Sequence, residues 1–278
     1  THCISSAASD VYKRQKQVSG VFLILNTHDF TDRTSGDRLP CVYLRDLDPE
    51  AASSADNSDV MFERAPAELV QAFGSTTDKA WTPAQQYLDG EEDAFYVRPF
   101  QAAYKSGERT GAAADYGRWT TLPYTLLGDD REAIAYAQPL ILDDGTVYGV
   151  LGIEMLESYM DTKLPWDELQ NDHHGSYLLA STTSDLRGEE LQIHVTANTG
   201  EQTIALQKEG WELTLHRAKG YWHYPSGGAN QVVSIRQISL YNRNAPFSGE
   251  RWLLIGVVGR NEPVSYTHLR AHETDSYL

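Results

Sequence analysis

The stretch Ile134–Met155, IAYAQPLILDDGTVYGVLGIEM, decides how this chain is read. Two apolar runs meet at Asp143-Asp144-Gly145, and an Asp-Gly pair between such runs is a strong short-range signal for a β-hairpin. The pattern predicts one strand over Ile134–Leu142 and a second over Val147–Met155.

Toward the N-terminus, Phe95–Tyr104 carries strand-like aromatics and leads into a segment containing Gly and Ala. Ala67–Phe73 reads as a short helix, and Asp48–Asp59, rich in Asp, Ser and Ala, as an exposed loop. A strand is expected over Cys41–Leu47, and the continuous apolar run VSGVFLILN, Val18–Asn26, reads as a buried strand.

Toward the C-terminus, Leu156–Leu169 is expected to be helical, with Pro165 breaking or restarting it. After Asn171-Asp172-His173-His174-Gly175 the pattern begins again. Strands are expected over Ser176–Ser181, Gln192–Thr196, Gln202–Gln207, Trp211–Arg217, Gln231–Leu240 and Trp252–Val258. The cluster Tyr221-Trp222-His223-Tyr224-Pro225 reads as a loop folded against its own sheet, with sugar stacking or an interface as the alternatives. Both halves end on an apolar strand containing Gly, VYGVLGIEM in the first and WLLIGVVGR in the second. The expected fold is therefore α/β of the α+β kind: two tandem modules, each a mixed, mainly antiparallel sheet with flanking helices, meeting near residue 172.

Composition narrows the function classes. The formal charge is −16, which argues against nucleic acid, since phosphate binding needs clustered Lys and Arg. It argues equally against docking on an anionic membrane surface; a solvated acidic surface is the simpler reading. The ends read differently from the rest. Ser5–Gln15 (SSAASDVYKRQ) and Val264–Thr274 (VSYTHLRAHET) back-translate into the two opposite ends of a transposon-type sequencing adapter, each correctly oriented. Residues 1–15 and 263–278 are thus expected to be non-native, leaving 16–172 and 173–262 as the two modules and a longer gene on either side. Cys41 is then the one native cysteine, so an internal disulfide or a Cys-based metal site is not expected.

Between Tyr96 and Ile153 the motifs fall in a recognisable order: Arg98-Pro99-Phe100, Trp119, Pro123-Tyr124, Ala135 to Leu140, Asp144-Gly145, then Gly149-Val150-Leu151-Gly152-Ile153-Glu154. In that order and spacing the chain resembles the double Cache sensors. These are paired PAS-like modules outside the membrane in bacterial chemoreceptors, sensor kinases and cyclases. The resemblance implies a membrane-distal first module that binds a small molecule and a proximal second one. It also implies a membrane-anchored full-length protein, a homodimer formed through a stalk helix, and a cytoplasmic output domain. The ligand would be an amino acid, organic acid, amine or similar.

The implied site is lined by Arg98, Phe100, Trp119, Tyr124 and Glu154. An arginine offers a planar fork to a carboxylate, aromatics supply apolar walls with polar tips, and an acidic residue receives an ammonium group or hydroxyls. Each also has a plainer reading: Arg98 paired with a surface carboxylate, Trp119 and Tyr124 as core aromatics, Glu154 solvated at a strand end. Arg118 is an alternative anion binder. The amino-acid-binding members have Tyr where Asp93 stands, Asp where Leu126 stands and Asp where Glu154 stands, so the chain departs from them at three positions.

Nothing in the chain reads as catalytic. His173-His174 point apart on a strand or a helix, and His194, His216 and His223 lack a ligand spacing. No phosphate-binding Gly loop and no Ser or Cys nucleophile pattern is present, and no cofactor or metal is expected. The alternative function is a secreted or surface binding or adhesion protein without signalling output.

Overall fold

The computed structural model describes residues 18–27, 38–46, 60–87, 93–106, 112–126, 130–164, 175–200, 210–218, 220–226, 229–241 and 244–258. The expected adapter ends, the loop 48–59, strand 202–207 and His173-His174 lie outside them. In chain order the elements are β1 Gly20–Leu25, β2 Arg38–Asp46, β3 Val60–Arg64, α1 Ala67–Phe73, β4 Thr76–Thr82, β5 Ala84–Gln86 and α2 Ala94–Ser106. There follow β6 Arg118–Trp119, β7 Ala133–Ile141, β8 Val147–Leu156, α3 Glu157–Asp161 and β9 Ser176–Thr182. The last strands are β10 Glu190–Gly200, β11 Glu212–Ala218, β12 Tyr221–Ser226, β13 Ala229–Ile238 and β14 Arg251–Val258. No helix among the described residues is long and apolar enough to cross a membrane.

The chain packs as two compact units. Of the described residues, one takes those up to Tyr159 together with those in Tyr241–Ser248; the other takes those in Met160–Leu240 and from Gly249 to Val258.

In the first unit the strands run β4-β3-β2-β1-β8-β7-β6, with β5 paired to β2. All pairs are antiparallel except β3 with β4, which α1 connects as a parallel crossover requires. The hairpin at the centre of the sequence pattern is β7–β8. Its turn closes through Gly145 N–H to the Leu142 carbonyl (2.9 Å) and Leu142 N–H to the Thr146 carbonyl (2.9 Å), with Gly145 at φ 87°, where a side chain would be strained.

Phe95–Tyr104 is not a strand but part of α2. The aromatics there have strand propensity, yet Tyr96 and Phe100 stand four apart, and Phe95, Pro99 and Ala103 repeat that spacing. All five are buried, so helical periodicity and packing override local preference. Pro99 sits inside the helix at the cost of one backbone hydrogen bond. One face of the sheet packs under this helix. Phe22 stacks on Tyr43 with ring centroids 5.1 Å apart, Phe95 meets Phe22 edge-on at 5.2 Å and stacks on Tyr124 at 4.5 Å.

The second unit departs from the expected sheet with flanking helices. Strands β9 to β14 form a closed antiparallel barrel in which each strand pairs with the next and β14 returns to β9. Among its described residues no helix covers a face, because closure buries one face of every strand without a second layer. The aromatic cluster Tyr221–Pro225 is strand β12 rather than a loop: Trp222 and Tyr224 are buried while Tyr221 is exposed. The alternation is that of a strand with one wet face. His194 and His216 lie opposite Glu212 and Glu190 across β10–β11, at 3.4 and 3.5 Å, as exposed cross-strand pairs.

Candidate functional site in the first unit

Strand register sorts the expected site residues by face. Arg45, Gly20, Glu154 and Ala135 lie opposite one another across β2, β1, β8 and β7. Residues paired in register share a face of the sheet. The next inward-facing row is Tyr43, Phe22, Gly152 and Ala137, and Arg118 pairs with Ala137. This is the face under α2. Trp119 pairs instead with Tyr136, which pairs with Ile153, which pairs with Val21. Trp119 therefore belongs to the opposite face, with its ring 5.4 Å from that of Tyr136 and its backbone N–H donating to Tyr241 Oη at 2.7 Å.

The structure brings Tyr124 and Glu154 together, their hydroxyl and carboxylate 3.4 Å apart. Phe100 is fully buried in the same core. Arg98, two residues earlier on α2, is half-buried and sits about 200° around the helix from Phe100; neither Tyr124 nor Glu154 bonds to it. Arg118 faces inward, 5% exposed, with its guanidinium 3.4 Å from Thr121 Oγ1 and 5.4 Å from the Phe247 ring centroid.

Three residues at the centre of the site, Ser19, Tyr43 and Arg45, were not anticipated. Glu154 is not solvated: it is completely buried and held by Arg45, whose Nε donates to Oε1 at 2.9 Å and whose Nη2 donates to Oε2 at 2.8 Å. Ser19 Oγ donates to Oε1 at 2.9 Å and Tyr43 Oη to Oε2 at 2.5 Å. Tyr124 Oη lies 2.8 Å from Tyr43 Oη. Arg45 and Glu154 are two strands apart, about 9–10 Å, and they meet because the residue between them is glycine. A Cβ on Gly20 would sit 3.1 Å from Glu154 Oε1.

Proton positions follow from chemistry. A carboxylate only accepts, so Tyr43 donates to Glu154; with its proton spent, Tyr43 accepts from Tyr124. Tyr124 is then the end of a donor chain, and its oxygen is left to accept. Burial pushes the hydroxyls of Tyr43 and Tyr124 well above the usual tyrosine range, and the charge of Glu154 adds to it. For Arg45, burial pulls the other way, but Glu154 and the two tyrosines outweigh it and hold the guanidinium protonated more firmly than usual.

A second buried arginine is a brace. Arg64 donates from Nε to Gln85 Oε1 at 2.7 Å and from Nη1 to the carbonyls of Glu63 (2.6 Å) and Ala80 (3.0 Å), tying β3 to β4 and β5. Cys41, buried in the same core, has its thiol pushed up by burial.

The sequence signal for Arg45 was present. Leu39, Cys41, Tyr43 and Arg45 share the buried phase of β2, and an arginine on that phase needs an acidic partner. Glu154 occupies the same phase of β8.

Neither a protein-family model nor a curated protein matches the chain. Solved structures to which the chain is similar along most of its length include sensing regions of bacterial chemoreceptors and an extracellular domain assigned to a histidine kinase. The periplasmic sensory domain of the Campylobacter jejuni chemoreceptor Tlp1 is 12% identical, covers 93% of this chain and 78% of its own, and has a TM-score of 0.49. The ligand-binding domain of the Pseudomonas aeruginosa amino-acid chemoreceptor PctB, solved with L-Arg, is 12% identical at a TM-score of 0.43, covering 98% of this chain and 79% of its own. That of the Pseudomonas fluorescens chemoreceptor CtaA, solved with L-serine, is 13% identical at 0.39, covering 92% and 81%.

Proposed function

We propose that this chain is the extracytoplasmic ligand-sensing region of a bacterial signal-transduction receptor. The first unit binds a small polar metabolite in the layer between its sheet and α2. The signal passes to a cytoplasmic output domain such as a cyclic-dinucleotide synthase, a histidine kinase or a chemotaxis signalling domain. The observation that carries this reading is the buried Arg45–Glu154–Tyr43–Tyr124 network. Ionised groups in an apolar layer add little to stability and are costly to bury, while convergent polar groups among aromatic walls are what a small-molecule site needs. The order of motifs from Arg98 to Glu154 supports the same assignment. Sensing further requires two states of the protein that the ligand binds unequally.

The test is a thermal-shift screen of the chain against amino acids, organic acids, amines, purines and sugars. Occupancy at a hundredfold excess over Kd stabilises a native state by about 2.7 kcal/mol. One class should raise the melting temperature, and Tyr124→Phe should remove the rise. A folded chain that responds to none of these classes would count against sensing and for a purely structural or protein-binding role.

A further inference from the structure

We infer that Arg45 sets the charge selection of this layer: it occupies the Glu154 carboxylate so fully that ligands carrying an ammonium group are excluded. The place of the ligand rests on the sensing reading above; the state of the carboxylate does not.

A carboxylate has about four lone-pair positions. Here four donors fill them at 2.9 Å or less: Ser19 Oγ and Arg45 Nε on Oε1, Tyr43 Oη and Arg45 Nη2 on Oε2. Arg45 and Glu154 are both completely buried, so the two charges cancel inside the layer. An incoming ammonium would have to replace the guanidinium, leaving a fully buried arginine without its counter-ion, and an uncompensated buried charge is strongly disfavoured. The geometry also leaves Arg45 no easy exit. It reaches Glu154 over Gly20, the one position on β1 where no side chain stands between the two strands. Within this network, what remains for a ligand is the acceptor end of the hydroxyl chain at Tyr124. That end suits a neutral hydroxyl donor, and the ligand class is accordingly a small hydroxylated molecule without positive charge.

The test needs no knowledge of the natural ligand. The full chain and its Arg45→Ala variant are melted in about 10 mM ethylammonium or methylguanidinium chloride, against equal sodium chloride. The expected result is no shift for the unaltered chain, and for Arg45→Ala a lowered melting temperature that rises by several degrees with either cation. Arg45→Met, closer in volume, takes its place if Arg45→Ala does not fold. A rise of the unaltered chain in ethylammonium, lost in Glu154→Gln, would overturn the inference, because the carboxylate would then be open to amines. So would an Arg45 variant indifferent to both cations. The metabolite screen separates the two readings. A hit bearing an ammonium group that depends on Glu154 keeps the sensor and removes the exclusion, while an absence of hits with the expected cation rescue does the reverse.

Discussion

Strands β8 and β14 perform the same topological task in different surroundings. Each is the last strand of its unit, each is apolar with glycine inside it, and each pairs back with the first strand, β8 with β1 and β14 with β9. In the barrel that return closes the hydrogen-bond cycle, and six strands leave room only for packed side chains, since even eight give an interior just wide enough to fill. In the first unit the return leaves an open sheet extended by β3 and β4, whose inner face is covered by a separate layer, α2. A layer assembled from distant segments can hold the charged pair Arg45 and Glu154 together with the neutral hydroxyls of Tyr43 and Tyr124. The difference teaches why a polar site belongs to the open unit.

The largest effect should come from breaking that charged layer. Glu154→Leu strands Arg45 without a counter-ion and is expected to cost about 3–5 kcal/mol, while the double variant Arg45→Met/Glu154→Leu regains most of it. Urea unfolding of the three proteins checks this, and a double variant as unstable as the single one would mean that the layer, not the charge balance, is what matters.

Glycine sharpens the comparison next. A Cβ on Gly152 in β8 would come within 2.2 Å of the Phe22 ring, whereas one on Gly256 in β14 would meet Tyr177 at an ordinary 3.4 Å. Gly152→Ala should therefore destabilise by about 1–3 kcal/mol through overpacking. Gly256→Ala should stay within about 0.5 kcal/mol. Equal melting temperatures for the two variants would dissolve the contrast.

Alkaline pH should act on the first unit. Burial holds the Tyr43 and Tyr124 hydroxyls protonated in the folded chain beyond the usual value of 10.0. Above pH 10 the unfolded chain releases protons that the folded chain keeps, so stability falls as pH rises; below pH 10 this contribution is complete. The loss is about 1.4 kcal/mol per group per pH unit, and Tyr43→Phe should shallow the slope measured between pH 9.5 and 11.

The smallest effect tests where residues between β13 and β14 belong. Tyr241→Phe removes the hydroxyl that accepts the Trp119 N–H, a loss of about 1 kcal/mol. Calorimetry should register it in the transition that Glu154→Leu also lowers. A shift confined to any other transition would contradict the assignment of Tyr241 to the first unit.

Much of the first unit was legible in the sequence: the β7–β8 hairpin from its Asp-Gly turn, β1 from its apolar run, α1 from a short helical pattern. The α2 helix was not, because its aromatics favour a strand locally and only the spacing of Tyr96, Phe100 and Ala103 argues otherwise. Barrel closure was equally hidden. The sequence shows strands and turns, but whether the last strand finds the first is decided by twist and register. In the site, Tyr124 and Glu154 were readable from motif order. Trp119 was assigned without a face, and strand parity puts it on the far side of the sheet from them. Arg45 lies more than a hundred residues from Glu154, a distance over which only the buried phase of two strands connects them.

The excursion of Tyr241–Ser248 has a consequence for how the gene can be divided. Those eight residues lie between two barrel strands in the chain yet pack with the first unit. There Tyr241 holds the Trp119 amide, Asn244 donates to the Gly117 carbonyl at 3.0 Å and Phe247 lies against Arg118. A truncation ending at Tyr159 deletes part of the unit it was meant to isolate. The barrel has the opposite freedom: a short turn joining β13 to β14 would leave its cycle of strand pairs intact. An exchange of the first unit alone must therefore move two separated segments together.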